Sequence, residues 1–243
     1  MQIKRTLLIL LAFCFMAAGF SRDLDEIKRS GKIYVGFTSD DLENINYPLA
    51  VEFAKYLNVE LIPVEITWEE AFTLNGERPF DLETNPDVAY TSDAFALKKV
   101  DIICSTFTIL DWRRKLFGFA ETLHSAELLI IDKKEEQPKD FTALIGKKIS
   151  YQKGTTFERN LTEINNELGG GIILNSTEYG SDAKELLLKG ESYGIVLDAD
   201  EALNFNANSD YKFKIAYPIS DVTKTAWAVE KDNNPLIDRK SVV

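Results

Sequence analysis

The chain has 243 residues, 45% of them hydrophobic and 28% charged, which suits a globular protein of one large or two modest domains. Its formal net charge of −11 argues against a surface built for nucleic acid or anionic lipid, since either would be repelled. That acidity excludes no small ligand, because a local basic spot fits inside an acidic protein.

The N-terminus has the grammar of an export signal. Lys4 and Arg5 precede an apolar run from Leu7 to Met16, and Ala17, Ala18 and Gly19 follow it. This predicts a secretory signal peptide over residues 1–21, cleaved near Gly19 to Ser21, and a periplasmic or otherwise extracytoplasmic location. The run is short for a membrane span. Cys14 falls inside the signal with bulky Phe13 before it, which disfavours lipoprotein attachment. Cys104 is then alone in the mature chain and sits in an apolar run, so it reads as a core residue. A single histidine, His124, rules out a His-cluster metal site. No cofactor or metal is expected.

In chain order, Leu24 to Lys32 predicts a short helix stopped by Gly31, and Ile33 to Phe37 a first strand. A polar loop, Thr38 to Asn46, leads to a helix opened by Tyr47-Pro48 with Leu49, Phe53 and Leu57 at helical spacing. Val59 to Ile66 reads as a second strand, Thr67 to Phe72 as the opening of a helix, and Gly76 to Asp87 as an irregular insertion. Ala94 to Lys99 predicts a helix and Val100 to Cys104 the central strand. This strand-helix rhythm predicts a parallel α/β sheet, with ligand beyond the carboxyl ends of the strands. Thr38, Trp68 and Thr108 each follow a strand and should gather on one rim.

A strand at Glu127 to Ile131 and a charged connector, Lys133 to Lys139, precede a second cycle. It holds strands at Leu144 to Tyr151, Ile172 to Leu174 and Tyr193 to Leu197, with helices at Asp182 to Lys189 and Ala199 to Phe205. Gln152 to Glu158 is a small-residue turn opening a further helix, whose backbone N–H groups suit an anion, although Thr155 or Thr156 also fits a plain N-cap. Late strands are expected at Phe213 to Tyr217 and Thr225 to Val229.

The stretch Ser105-Thr106-Phe107-Thr108-Ile109-Leu110-Asp111-Trp112-Arg113 carries the strongest functional pattern. Hydroxyls at a strand exit with an arginine five residues after Thr108 suit a carboxylate, which a planar guanidinium grips with two parallel charged hydrogen bonds. An arginine on a solvated turn is the plainer reading of the same residues.

Taken in order, the Thr108-to-Arg113 spacing with Phe119, the Lys153-Gly154-Thr155-Thr156 helix opening, and Gly194-Ile195-Val196-Leu197-Asp198 resemble the family 3 extracytoplasmic solute-binding proteins of the polar amino-acid type. The resemblance spans roughly Leu24 to Leu236 and implies a two-lobed, type II periplasmic-binding-protein fold with a hinge and an interlobe cleft. It implies a first lobe of residues 22–121 plus 223–243 and a second of 122–222, with crossings near Ala120 to Ala126 and Tyr217 to Val222. Arg113 would bind the ligand carboxylate with Thr108 and groups near Thr106; Thr156 would hold that carboxylate from the second lobe. Asp198 would pair with the ligand ammonium, Trp68 would stack on the ligand, and Thr38 falls where some members carry an acidic contact. For Asp198 the plain alternative is an N-cap before Ala199.

The chain departs from the family in a compressed segment from Asp41 to Pro48, in Gln152, Leu110 and Trp112, and in the Gly76 to Ala94 insertion, which can cover the cleft. The tail from Asp238 to Val243 reads as translated adapter sequence, which predicts a truncated C-terminus. The resemblance implies a non-enzymatic receptor for a small polar ligand, feeding an ABC-type permease. The alternatives are the sensing domain of a longer membrane-bound signalling or cell-wall protein and, third, a dehydratase-like enzyme.

Overall fold

Short-range chemistry sets most of the element boundaries. The computed structural model describes residues 22–39, 41–43, 45–77, 90–119 and 123–231. The expected signal peptide, most of the insertion after Gly76 and the C-terminal tail lie outside them. Helix α1, Leu24–Ser30, starts on a capping box between Asp23 and Glu26 and ends at Gly31, whose φ of 68° is cheap only for glycine. Strand β1, Lys32–Phe37, and helix α2, Asn46–Leu57, follow. Asn58 closes α2 in the left-handed conformation at φ 57°, and β2, Glu60–Glu65, begins at once.

The helix expected at Thr67 to Phe72 is only a 3₁₀ turn, Glu69–Ala71. Packing explains the difference: Trp68 stacks on Phe107 at 5.1 Å and meets Phe72 edge-on at 5.2 Å, which pins this segment against the sheet. Helix α3, Asp93–Ala96, leads into β3, Ile102–Thr108. The central strand therefore runs four residues past Cys104. The hydroxyl residues expected at its exit are part of the strand itself. Helix α4, Arg113–Leu116, β4, Phe117–Phe119, and β5, Leu123–Ser125, complete the first half.

The second half holds β6, Glu127–Asp132; β7, Lys148–Gln152; α5, Thr156–Glu167; β8, Ile173–Thr177; α6, Gly180–Leu188; β9, Gly194–Asp198; α7, Ala199–Asn208; and β10, Phe213–Pro218. The final strand, β11, Thr223–Glu230, returns to the first sheet. Among the described residues no helix is long and apolar enough to cross a membrane.

These strands form two sheets, in the orders β2-β1-β3-β11-β4, with β5 beside β11, and β10-β6-β9-β7-β8. The expectation of parallel sheets holds for only part of each. β1 pairs in parallel with β2 and β3, and β7 with β8 and β9. The strands next to the chain crossings run antiparallel, β11 against β3 and β6 against β9. A strand that re-enters a sheet from the other lobe has no crossover helix to reverse its direction, so it lies antiparallel.

Each sheet buries both faces, as period-two alternation requires. Ile33, Val35, Phe37, Ile102 and Cys104 pack on one side of the first sheet with Phe53, while Ile103 and Phe107 pack on the other with Phe72, Phe95 and Phe117. In the second sheet Leu129, Ile131 and Val196 face one way, Ile130, Ile195 and Leu197 the other. Cys104 is buried in this core.

Candidate functional site

The carboxyl ends of β1, β3, β7 and β9 converge on one narrow cleft between the sheets, partly open to solvent. All seven residues singled out from the sequence line it: Thr38, Trp68, Thr106, Thr108 and Arg113 from the first lobe, Thr156 and Asp198 from the second. Ser105, Gln152 and Thr155 add polar groups to the lining and Phe157 an apolar ring, while Asp41, Asp200 and Glu201 add acid that the sequence did not mark out.

Arg113 opens α4 and is 2% exposed. Its Nη1 donates to the Thr108 carbonyl oxygen at 3.0 Å, so the five-residue spacing closes a loop that aims the guanidinium back along the end of β3. Four aromatic rings surround it, with centroids 5.1 Å (Trp112), 5.2 Å (Phe72), 5.5 Å (Trp68) and 5.9 Å (Phe107) from Cζ. Ring faces attract a cation and fix the planar fork without occupying all its donors. Trp112, a departure from the family pattern, is thus one wall of this cage. In the described structure Trp68 stacks on Phe107 and borders the cleft.

A second network sets the hydroxyl side of the first lobe. Asp41 accepts from the Thr38 backbone N–H at 3.0 Å and from the Thr38 hydroxyl at 2.6 Å. Its other oxygen accepts from the Asn46 amide at 2.9 Å, and that amide also reaches the Thr106 hydroxyl oxygen at 3.3 Å. Trp227 donates its indole N–H to Asn46 at 2.8 Å. The compressed loop after β1 therefore brings a carboxylate, Asp41, against Thr38.

In the second lobe Thr156 is the first residue of α5, after Thr155 as N-cap. The Thr155 hydroxyl donates to the Gln152 carbonyl oxygen at 2.7 Å, and the Gly154 N–H donates to Glu158 at 2.8 Å. That Gly154 N–H, expected to be open to an anion, is already taken by a side chain of the same helix. The Thr156 hydroxyl is hydrogen-bonded to Glu127, a carboxylate only 3% exposed that also accepts from the Asn160 amide at 2.7 Å. Burial raises the pKa of Glu127, opposed by those two hydrogen bonds and by the charges of Arg159 and Arg113.

Asp198 ends β9 and occupies the N-cap position of α7, yet its side chain makes no capping hydrogen bond. The Ala199 N–H goes instead to the Ser125 hydroxyl at 3.2 Å. Asp198 pairs in register with Glu127 on β6. Burial pushes its pKa well above the usual aspartate range, and Glu201, Glu127 and Asp200 push the same way while Arg113 opposes them. The result is one cation, Arg113, across from a cluster of carboxylates that repel one another.

A further hydrogen bond joins the two lobes beside this cleft: the Trp68 indole N–H donates to the Gly154 carbonyl oxygen at 3.3 Å.

Two separate α/β sheets, two chain crossings and a cleft between them define the two-lobed fold of type II periplasmic binding proteins. Solved structures of that fold match over nearly the whole chain. The arginine-bound form of a truncated ArgBP from T. maritima is 24% identical with a TM-score of 0.68, covering 90% of this chain and 97% of that one. The ancestral amino acid-binding protein AncCDT-1, a precursor of cyclohexadienyl dehydratase, is 20% identical with a TM-score of 0.68 over 90% of both chains. An ancestral arginine-binding protein bound to glutamine is 19% identical with a TM-score of 0.67, over 87% of this chain and 89% of that one. No protein-family model matches the chain, and no curated protein sequence matches it.

Proposed function

We propose that this chain is an extracytoplasmic solute-binding protein that captures a small amino acid between its lobes and presents the closed form to a membrane transporter. The observation that carries the reading is the juxtaposition of Arg113 and Asp198 in one cleft, from opposite lobes. A zwitterion leaving water loses hydration at both charges, and opposite charges held in matching places compensate each loss. Arg113 takes the carboxylate, with Thr106 and Thr108 beside it. Asp198 takes the ammonium. Thr156 serves best through its backbone N–H, since its hydroxyl is engaged with Glu127. The neighbours of the same fold that are bound to arginine or glutamine support an amino acid as the ligand. Catalysis finds less support: His124 is exposed on β5 and is not among the residues lining the cleft.

Closure follows from the same contacts. A ligand held by Arg113 alone gains Asp198 and Thr156 only when the lobes meet, so it favours the closed state by that difference in affinity.

Titration calorimetry with the twenty amino acids tests the reading. At least one should bind, and Arg113→Ala should weaken it by about 30-fold or more, the scale of losing one partner of a desolvated charge pair at about 2–5 kcal/mol. The far-ultraviolet circular dichroism of the variant should stay native. Binding that survives Arg113→Ala unchanged would remove Arg113 from the site.

A further inference from the structure

The charges lining the cleft do not balance a neutral zwitterion. Among the described lining residues Arg113 is the one basic side chain, against Asp41, Asp198, Asp200 and Glu201. Most of these acids have partners inside the protein. Asp41 accepts from Thr38 and Asn46, and Glu201 is bridged by Lys184 at 2.6 Å. In the reading above, Asp198 is matched by the ligand ammonium and Arg113 by the ligand carboxylate. Asp200 is left over. Its Oδ1 is fully buried and accepts no hydrogen bond from the described residues.

A buried carboxylate oxygen with no donor costs free energy, more than a neutral group would. Asp200 also sits two residues from Asp198, both residues line the same cleft, and Glu127 pairs with Asp198 in register. A neutral amino acid cancels one negative charge with its ammonium while its carboxylate cancels Arg113. The repulsion around Asp200 stays. A ligand with one further positive group relieves it. The fold itself leaves the choice open, because relatives of the same architecture are bound to arginine in one case and to glutamine in another.

Resting on the amino-acid reading, we propose that the ligand carries a net positive charge and that Asp200 is the residue that selects for it. The selection is electrostatic. A cationic side chain in the cleft offsets the Asp200 charge at its wall, where low dielectric magnifies the attraction. Glu201 contributes less, since Lys184 already neutralises it.

The test compares ligands of nearly equal shape and different charge on the unaltered chain. Calorimetry should show arginine binding at least tenfold tighter than citrulline, in which a neutral urea replaces the guanidinium, or lysine at least tenfold tighter than norleucine. In Asp200→Asn that ratio should fall towards one, and in Asp200→Glu it should be largely kept. A mere structural role for Asp200 would weaken charged and neutral ligands alike and leave the ratio unmoved. Tighter binding of glutamine or glutamate than of arginine and lysine overturns the charge inference and leaves amino-acid capture standing. Absence of binding by any amino acid overturns both. The wild-type ratio decides the ligand's charge even if Asp200→Asn does not fold.

Discussion

Asp198 and Glu127 face each other across β9 and β6, and their carboxyl pKa values are both raised, mainly by burial. In the unfolded chain each titrates near the ordinary carboxylate value of about 4. Between that value and the raised folded value the native state holds more protons than the unfolded one, so stability falls as pH rises through the window. The empty protein should therefore melt higher in mild acid than at neutral pH, and Asp198→Asn should flatten that dependence. Melting curves across the window check this; a melting point that instead climbs with pH there would contradict it. Binding has the opposite sign. A protonated Asp198 cannot pair with an ammonium, so amino-acid affinity should weaken over the same acid range. Asp198 could be picked out of the sequence because it closes the Gly194-to-Asp198 run that resembles the solute-binding family. Asp200 could not, since acid in the first turn of a helix ordinarily answers the helix dipole. Only tertiary packing tells which side of that turn meets a cleft. Asp41 escaped notice for a similar reason, in a polar loop whose fold depends on Asn46 and Trp227, nearly the length of the chain away.

Strand β9 carries Asp198 to the cleft, and its first residue, Gly194, is closely packed. A Cβ on Gly194 would lie 2.9 Å from the Ile130 carbonyl oxygen and 3.0 Å from Leu129 Cδ1. The carbonyl belongs to the neighbouring strand and has little room to retreat. Gly194→Ala should cost about 1–3 kcal/mol, the usual penalty for overpacking, and should weaken ligand binding by shifting the strand end. Urea denaturation checks the first part; a variant as stable as the parent would mean that the sheet absorbs the methyl. Reading short apolar runs as strands found most of them, including this one. It failed at β3, where Ser105, Thr106 and Thr108 look like a polar exit although Thr108 pairs in register with Thr225 on β11. The missing ladder partner comes from the far end of the chain. The expected helix after β2 failed for another reason: aromatic burial around Trp68 outweighs a few residues of helical pattern.

At the scale of the molecule, the lobes communicate through strands and one latch. The chain passes from the first sheet to the second between Ser125 and Glu127 and returns between Pro218 and Thr223. β5 and β11 pair beside these passages, so the crossings lie close together. In the proposed closure, two adjacent crossings would serve as the line about which the lobes bend. On the cleft side, the Trp68 to Gly154 hydrogen bond joins the lobes. Trp68→Phe keeps an aromatic ring against Phe107 and removes the donor. A hydrogen bond contributes about 0.5–1.5 kcal/mol net, so the unliganded variant should open about two- to tenfold more often. Small-angle scattering should then show a larger radius of gyration without ligand and the parental value with saturating ligand. An unchanged radius in the empty variant would mean that this bond holds nothing shut.

The aromatic cage around Arg113 has an optical corollary. The chain has three tryptophans, Trp68, Trp112 and Trp227, and all belong to the first lobe. Trp68 and Trp112 flank the guanidinium, while Trp227 hydrogen-bonds to Asn46 behind Thr106. The second lobe contributes no indole to the emission. Tryptophan fluorescence of the unlabelled protein, excited where tyrosine does not absorb, thus reports from the first lobe alone, and pairing that arginine with a carboxylate alters the field on two of the three indoles.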